Sequence, residues 1–430
     1  MRNRSPDKTP GSSSNQTLLP FVCSLGGTVF GYDLGALSSA SQSVHVQFGL
    51  SPSSFGITIA ASLWGTVCGS LFAGLIADRF GRRSLIVSSA LLYLVSSLGI
   101  ASCTLSDWTL FLVLRILCGV AIGAFTVGCP LYLAELSSPE QRGKFVAWFQ
   151  VQVGAGVILG FMVGTLLARF LPPLLYWRGC FGCGAIPPLV LLLLFMRTSH
   201  DTGLSRHGNE NIALSFEPAA LKTRYSKKDR ALFRRKNLRP MLLATSIALF
   251  NQLSGVNVIL IYLLDVLSGS SIETSQRHTY TVAIACISFA TTIIGAELID
   301  RVGRKILLTA GAAGMALCLF ILGTRFQQLT PLLSLMVLVG YNFCFAFSQG
   351  AVVWVYLSEL FPNQVRAKGQ SYGTCLHWIA NAALVSLFPT FQKIAPEMAF
   401  RVFSLVMVFQ IGVVALLYPE TKGIPLEENV

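Results

Sequence analysis

Two ionisable residues stand in stretches of sequence that are otherwise apolar. Asp33 lies in FGYDLG, residues 30–35, and Arg115 lies in an apolar run that begins at Trp108. An ionised side chain near the centre of a membrane costs about 2.5–3.5 kcal/mol, which makes an isolated charge unfavourable and a pair reasonable. Burial favours the neutral form of an acid and a nearby cation favours its carboxylate, so such an acid can also bind and release a proton. These two residues could therefore form either a fixed ion pair or a proton-binding site.

The elements that must position them are long apolar helices. Of the 430 residues, 53% are hydrophobic and 12% are charged, whereas a soluble protein carries about 25% charged residues. Each apolar run has about 20 residues or more, enough to cross a hydrocarbon core of about 30 Å. We predict an all-α membrane protein with twelve transmembrane helices in two six-helix bundles, with cores at 18–40, 53–77, 84–103, 108–134, 143–169, 178–196, 238–266, 278–299, 306–324, 331–358, 369–391 and 399–418.

The distribution of basic residues predicts the orientation of these helices. With both termini cytoplasmic, internal segments hold 25 of the 32 Lys and Arg and external loops hold 6. The positive-inside rule then favours this topology in a cell membrane. The net charge of +13 indicates contact with anionic lipid rather than nucleic acid. The predicted division is a disordered cytoplasmic tail at 1–17, an N-terminal bundle at 18–196, a basic cytoplasmic linker at 197–237, a C-terminal bundle at 238–418 and a short cytoplasmic tail at 419–430.

This topology places the two buried charges at similar depths. Asp33 lies fifteen residues beyond Leu18 on an outward-running helix, about 22 Å from its inner end. Arg115 lies seven residues past Trp108 on an inward-running helix, about 10 Å below the outer surface. In a core of about 30 Å these depths nearly coincide, so we predict that the two side chains face each other.

Two motifs occur twice with nearly the same displacement. DRFGRR at 78–83 returns as DRVGRK at 300–305, an offset of 222, and AELSSPEQRGK at 134–144 returns as SELFPNQVRAKG at 358–369, an offset of 224. This predicts two homologous halves, the plan of a transporter whose site lies between the halves. Anchoring of short loops is the simpler role for the repeated charges; we favour clusters that control opening, formed by Asp78, Arg79, Arg82, Glu135, Arg142, Asp300, Arg301, Arg304, Glu359 and Arg366.

Together these motifs resemble the sugar porter family of the major facilitator superfamily. The resemblance runs from about residue 20 to residue 428 and is carried by GGTVFGYDLG, GLIADRFGRR, PLYLAEL, NQLSGVN, DRVGRK, WVYLSELFP and PETKGIPLEE. It implies alternating access and hexose, pentose or polyol substrates. It also implies that the chain is not an enzyme, in keeping with the lack of a nucleophile, phosphate loop or metal cluster in the sequence.

The resemblance assigns a set of sugar contacts. Amide side chains both donate and accept hydrogen bonds, as sugar hydroxyls do, and aromatic rings suit sugar C–H faces. The contacts implied are Phe30, Gln150, Gln252, Asn257, Trp354, Trp378 and Asn381, with His377 just before Trp378. The sequence departs from the family where the first glutamine of the seventh-helix motif is Asn251 and the prolines of the tenth-helix motif are absent from SQGAVVW. Interhelical hydrogen bonding is the alternative role for these amides.

The resemblance also bears on Asp33, because proton-coupled sugar porters carry an aspartate in this segment and facilitative carriers commonly do not. We therefore expect a monosaccharide symporter in which Asp33 and Arg115 couple transport to a proton, with no metal or other cofactor. The partners expected are sugar, proton and lipid bilayer, and the chain is expected to work as a monomer. A fixed Asp33–Arg115 ion pair, a facilitative uniporter and a non-transporting sugar sensor are the alternatives; a drug exporter is disfavoured by the amides and PETKG.

Overall fold

Twelve helical spans make up the structure, a computed structural model that describes residues 12–102, 107–137, 142–201, 232–261, 274–325, 330–362, 364–394 and 396–422. The first half contains α1 Ser12–Phe48, α2 Pro52–Phe80, α3 Arg82–Ser102, α4 Trp108–Leu136, α5 Arg142–Phe170, and α6, which comprises Pro173–Gly182, a 3-10 turn at Cys183–Ala185 and Ile186–Asp201. The second half contains α7, comprising Leu238–Leu253 and Val256–Ile261, then α8 Thr274–Val302, α9 Arg304–Arg325, and α10, comprising Pro331–Phe345, a π-helical turn at Ala346–Gly350 and Ala351–Glu359, followed by α11 Arg366–Ile394 and α12 Pro396–Leu417. The predicted all-α fold is confirmed.

Most predicted helix cores agree with these bounds within about five residues, and the largest differences lie at the two ends of α1. This helix continues to Phe48, whereas its predicted core ended at residue 40. Residues 262–266 of the predicted seventh core lie outside the described residues. Residues 12–17 are helical, whereas the sequence predicted a disordered tail to residue 17. Extending an existing helix adds one hydrogen bond per residue and avoids the cost of nucleation, so polar residues can continue it. Residues 1–11 lie outside the described residues, as do residues 202–231 of the predicted linker. The linker ends in a 3-10 turn at Arg235–Asn237.

Most of the spans have the length and hydropathy of membrane-crossing helices. Ten helices in the described residues are long and apolar enough to cross a membrane, and α1 and α11 are not among them. Both have the length of a membrane span, at 37 and 29 residues. They carry buried polar side chains such as Asp33 and His377, as α4 does with Arg115 and α7 with Gln252.

Close helix packing holds each half together. In the first half α1 packs along α5 and α2 along α4, while α2 with α11 and α5 with α8 form the main contacts between the halves. A Cβ added at Gly31 would clash with the carbonyl oxygen of Val153 on α5, and one at Gly119 with the carbonyl oxygen of Ser62 on α2. Small residues let helix backbones approach closely in membranes, where packing replaces the hydrophobic effect as the driving force. These glycines therefore fix the distances between the helices that carry Asp33, Ser62 and Arg115.

Candidate functional site

Asp33 and Arg115 form a buried ion pair in the middle of the first half. Nη1 of Arg115 lies 2.5 Å from Oδ1 of Asp33, and Nη2 lies 3.0 Å from Oδ2. Tyr93 on α3 donates a hydrogen bond to Asp33 Oδ1 at 3.0 Å, and Arg115 Nη2 donates to Ser62 Oγ at 2.7 Å. The ring of Phe181 lies 4.7 Å from the guanidinium carbon. Arg115 is fully buried and Asp33 is 2% exposed. Five helices therefore supply the surroundings of the pair, whereas the sequence predicted only the two helices that carry Asp33 and Arg115.

A cavity lies between the two halves beside this pair. Its empty space, counted together with the open solvent at its edge, is about 810 Å³. Phe30 and Leu34 line it from α1, so the helix that carries Asp33 reaches both the ion pair and the cavity. The polar side chains that line it are Gln150, Asn251, Asn257, Ser288, Thr292, Asn342, Trp354 and His377.

Gln150 and Trp354 join the two halves across this cavity. The indole Nε1 of Trp354 on α10 donates a hydrogen bond to Gln150 Oε1 on α5 at 2.9 Å. Both side chains were predicted to contact a ligand, and both line the cavity. A ligand hydroxyl that reached Gln150 would therefore compete with a contact that holds the halves together.

The predicted amides of α7 form a chain rather than separate contacts. Asn257 Nδ2 donates to Gln252 Oε1 at 2.9 Å, and Gln252 Nε2 donates to Asn251 Oδ1 at 3.0 Å. Gln252 Nε2 also lies 2.7 Å from Nε2 of His377 on α11. Gln252 is 1% exposed and is not among the residues lining the cavity, whereas Asn251, Asn257 and His377 are. Gln252 therefore lies behind the cavity wall and links the side chains that form it.

Two further predicted ligand contacts, besides Gln252, do not line the cavity. Trp378 is fully buried, donates its indole N–H to Thr126 Oγ1 at 3.2 Å and meets the edge of the Phe30 ring at 5.2 Å between centroids. Asn381 is 1% exposed. Neither residue lines the cavity. Trp378 instead supports Phe30, which does line it.

The tenth span contains a π-helical turn in the region where its motif lacks the family's prolines. Ala346–Gly350 forms a π-helical turn, and Ala346 and Gly350 lie on the cavity wall. Gln349 on this turn donates to Gln410 Oε1 of α12 at 2.8 Å. A π-turn widens the helix by one residue and is frequent at functional sites. Trp354, which donates to Gln150, follows this turn by one helical turn.

The repeated motifs form two equivalent charge clusters at one end of the molecule, called here the charged end. Arg82 donates to Glu135 at 2.9 Å, to the Ala77 carbonyl at 3.0 Å and contacts Asp78 at 3.6 Å. A glycine with positive φ, Gly81 at 88°, makes the turn before the arginine, a conformation that glycine adopts without strain.

The second cluster repeats these contacts. Arg304 donates to Glu359 at 2.8 Å and to the Ile299 carbonyl at 3.1 Å, and contacts Asp300 at 2.9 Å. Gly303, at φ 98°, occupies the place of Gly81. Each arginine therefore joins the end of one helix to the acid of another, as the two offsets in the sequence suggested.

The chain segment after α12 covers only the second cluster. Glu420 accepts hydrogen bonds from the backbone N–H groups of Arg304 and Lys305, and Thr421 Oγ1 donates to Glu359 at 2.7 Å. As a result, the Arg304 side chain is 2% exposed and that of Arg82 is 16% exposed. The two clusters are equivalent in bonding but not in exposure to solvent.

The remaining predicted gating residues have separate positions. Arg79 is exposed and its guanidinium lies over the Phe80 ring, while Arg301 is exposed and its carbonyl accepts from Lys422. Arg366 is 7% exposed at the start of α11. Arg142 begins α5, and its side chain lies outside the described residues.

The sequence did not identify the polar contact that joins the halves at the charged end. Lys144 Nζ on α5 lies 2.7 Å from Glu297 Oε1 on α8, and the Lys144 backbone N–H donates to Asp300 Oδ2 at 2.9 Å. Lys144 closes the motif that contains Glu135, and Glu297 precedes the second D-R turn by one helical turn. The sequence feature that could have indicated this contact is the position of both residues beside the repeated motifs.

Two similar six-helix halves around a central polar cavity, with repeated charge clusters at one end, define a secondary transporter of the major facilitator fold. Comparison with known proteins agrees with this class. A solved structure of the proton:xylose symporter XylE from E. coli, bound to 6-bromo-6-deoxy-D-glucose, superposes with a TM-score of 0.84 at 28% identity, covering 97% of this chain and 98% of that one.

Residues 19–429 match the family described as "Sugar (and other) transporter", so the chain belongs to that family and is a transporter rather than an enzyme. It is 30% identical to the D-xylose transporter of Levilactobacillus brevis over 86% of this chain and 85% of that protein. It is 28% identical to the glucose facilitated diffusion protein of Zymomonas mobilis over 96% of both.

Proposed function

We propose that this chain imports a monosaccharide by proton symport, exposing the central cavity alternately to the two sides of the membrane. The observation that carries the proposal is the position of Asp33 on α1, between Phe30 and Leu34 of the cavity wall and in direct contact with Arg115. One helix thus connects a titratable acid with the place where a ligand would bind. The XylE structure and the xylose transporter named above support a sugar as that ligand.

The mechanism follows from the cost of an unpaired buried charge. A proton bound to Asp33 removes the negative charge opposite Arg115, and a buried charge that loses its partner is strongly unfavourable. The protonated protein therefore favours a conformation in which Arg115 gains water or another partner. Sugar binding across Gln150 and Trp354 favours closure of the halves, and release of the proton on the opposite side restores the ion pair.

The substrate is a hexose, a pentose or a related polyol. The cavity presents amides, hydroxyls, one indole and the imidazole of His377, all of which can hydrogen-bond to hydroxyl groups. Its described lining residues include no acid, lysine or arginine side chain. A neutral polyhydroxy compound fits this lining better than a charged one. A thermal-shift screen of purified protein against hexoses, pentoses and polyols would select the sugars for transport assays.

Transport in proteoliposomes tests the proton role, with D-xylose and D-glucose as first probes. Asp33→Asn should retain counterflow exchange, because the sugar site is unchanged, and lose accumulation driven by an inward proton gradient. Asp107→Asn is the matched control: Asp107 caps α4 by accepting from the Leu110 N–H, and asparagine caps equally well. Gradient-driven accumulation by the Asp33→Asn protein would exclude the proton role.

A facilitative uniporter is the second candidate, favoured by the resemblance to the Zymomonas protein. In that case Asp33 and Arg115 are a structural pair, and sugar moves only down its own gradient. The two functions differ in one measurement: addition of external sugar to wild-type proteoliposomes should acidify the lumen if protons accompany it. Uptake without lumenal acidification would establish the uniporter.

We also propose a location, an orientation and an oligomeric state for the protein. The excess of basic residues at the charged end supports, by the positive-inside rule, a cell membrane in which that end and both termini face the cytoplasm. The described cavity is formed within one chain, so we propose a functional monomer that uses a proton as coupling ion and needs no other cofactor.

A further inference from the structure

We propose that His377 is a positioning residue of the transport site, which fixes the direction of an amide chain so that Asn251 presents an N–H donor to the sugar. The proposal rests on the sugar transport proposed above. His377 acts through Gln252, and Asn251 is the residue that would contact the sugar. No feature of the sequence indicated that His377 and Asn251 act together.

The imidazole of His377 is held in place by aromatic rings. Its centroid lies 5.1 Å from that of Trp354 and 5.1 Å from that of Trp378. The ring is 3% exposed, and it is the one titratable side chain among the described residues that line the cavity. The elements packed against it present Gln252 from α7 and Trp354 from α10, and no charged side chain of the described residues interacts with it.

The hydrogen bonds of Gln252 determine the role of this ring. An amide nitrogen carries two hydrogens and can only donate. One reaches Asn251 Oδ1 at 3.0 Å, and the other reaches the imidazole of His377, whose Nε2 lies at 2.7 Å and whose Nδ1 lies at 3.3 Å. The facing nitrogen of His377 must therefore accept, so it carries no hydrogen and the imidazole is neutral.

The orientation of the Gln252 amide at His377 also determines the orientation of the Asn251 amide at the cavity wall. Because Gln252 turns its Nε2 toward the imidazole, its Oε1 faces Asn257 and accepts from that side chain at 2.9 Å. Asn251 Oδ1 is occupied by Gln252, which leaves Asn251 Nδ2 as the free end of the chain. This Nδ2 is buried and has no acceptor in the described part of the chain, and Asn251 lines the cavity. The group it would bind is a hydroxyl or ring oxygen of a sugar.

Without a hydrogen-bond acceptor at residue 377, the amides of Gln252 and Asn251 would no longer be held in this orientation. Were the acceptor absent, Gln252 could rotate its amide and offer Oε1 to Asn251, whose own amide would then turn its oxygen toward the cavity. A glutamine at residue 377 supplies an acceptor oxygen near the place of Nε2. A leucine fills similar space and supplies none.

Binding of D-glucose and its monodeoxy and monodeoxyfluoro analogues to the purified full chain tests the proposal. Fluorine accepts a hydrogen bond weakly and cannot donate, and hydrogen does neither. At the ring position that Asn251 contacts, wild-type protein should bind the fluoro analogue about tenfold more tightly than the deoxy analogue, the difference expected for one buried donor left unpaired. His377→Gln should retain this preference and His377→Leu should lose it.

The outcomes separate this proposal from simpler roles. If His377 only fills space, His377→Leu keeps the fluoro preference and His377→Gln is no better than His377→Leu, which would overturn the proposal. Because His377→Leu alone could fail to fold, thermal unfolding is measured for each variant, and loss of the preference in a folded His377→Gln protein also overturns it. Failure of wild-type protein to bind any sugar would instead contradict the proposed function.

Discussion

Neutralising Asp33 should destabilise the protein through Arg115 rather than through Asp33 itself. In Asp33→Asn the amide oxygen can still accept from Arg115 Nη1 and Tyr93, but the amide nitrogen replaces Oδ2, which lies 3.0 Å from Arg115 Nη2. Two donors then face each other, and a fully buried guanidinium has lost its counter-charge. Removing one partner of a buried pair costs about 3–5 kcal/mol, whereas the Arg115–Ser62 hydrogen bond remains.

The same reasoning predicts that a second substitution restores stability. In Asp33→Asn with Arg115→Gln neither side chain is charged, and two amides can hydrogen-bond to each other and to Tyr93 and Ser62. Replacing both partners of a buried pair is often close to neutral. We expect most of the loss in the single variant to be recovered in the double variant, a coupling of about 2–4 kcal/mol.

Thermal unfolding of the purified proteins in one detergent measures this coupling. Wild type, both single variants and the double variant form a complete cycle, and Asp107→Asn controls for loss of a negative charge at a helix terminus. An Asp33→Asn protein as stable as wild type, with no gain from Arg115→Gln, would refute the reasoning. It would mean that water already reaches Arg115, in conflict with its full burial.

Three further predictions concern the packing and the charged end. Lys144→Glu should shift the halves toward opening at the charged end by at most about fivefold, since Lys144 and Glu297 are 41% and 45% exposed and exposed pairs contribute about 0.2–1 kcal/mol. Adding Glu297→Lys should reverse the shift. The shift is measured as the alkylation rate of the cysteine in Ser371→Cys, since Ser371 packs against Gly74 between the halves. Equal alkylation rates in all variants would contradict a gating role. Gly31→Ala should destabilise the protein by about 1–3 kcal/mol because the added Cβ meets the α5 backbone. Gly412→Ala is the control, since a Cβ there has no neighbouring atom within 4 Å and should not destabilise the protein. Thermal unfolding of the two variants measures the difference. Glu420→Gln should cost about 0.5–2 kcal/mol because a carboxylate that accepts from the first N–H groups of α9 interacts favourably with the helix dipole; unchanged thermal unfolding would contradict this.

The sequence was most informative where one property of the chain decides the structure. Helix length and hydropathy predicted the twelve spans, because each must cross the same thickness of hydrocarbon. Depth along two helices predicted the contact of Asp33 with Arg115, since rise per residue is constant. The offset between the repeated motifs predicted two equivalent charge clusters, and Arg82 and Arg304 make matching contacts.

The sequence was less informative where helix rotation and local distortion decide the structure. Trp378 and His377 are adjacent, yet only His377 lines the cavity, and the order of residues does not determine which neighbour faces inward. The π-helical turn in α10 inserts one residue into a span of ordinary composition, which hydropathy cannot detect. Lys144 and Glu297 meet only because α5 and α8 approach each other, and a contact between halves has no fixed spacing along the chain.

The unequal cover over the two charge clusters has a consequence for ionic strength. Mobile ions screen charges that solvent reaches over a distance of about 8 Å at physiological salt, and screen buried pairs much less. Arg82 and Glu135 are 16% and 29% exposed, whereas Arg304 and Glu359 are 2% and 4% exposed beneath Glu420 and Thr421. A rise in salt therefore weakens the first cluster and leaves the second nearly unchanged, so two clusters with the same bonding respond differently to the same ionic strength.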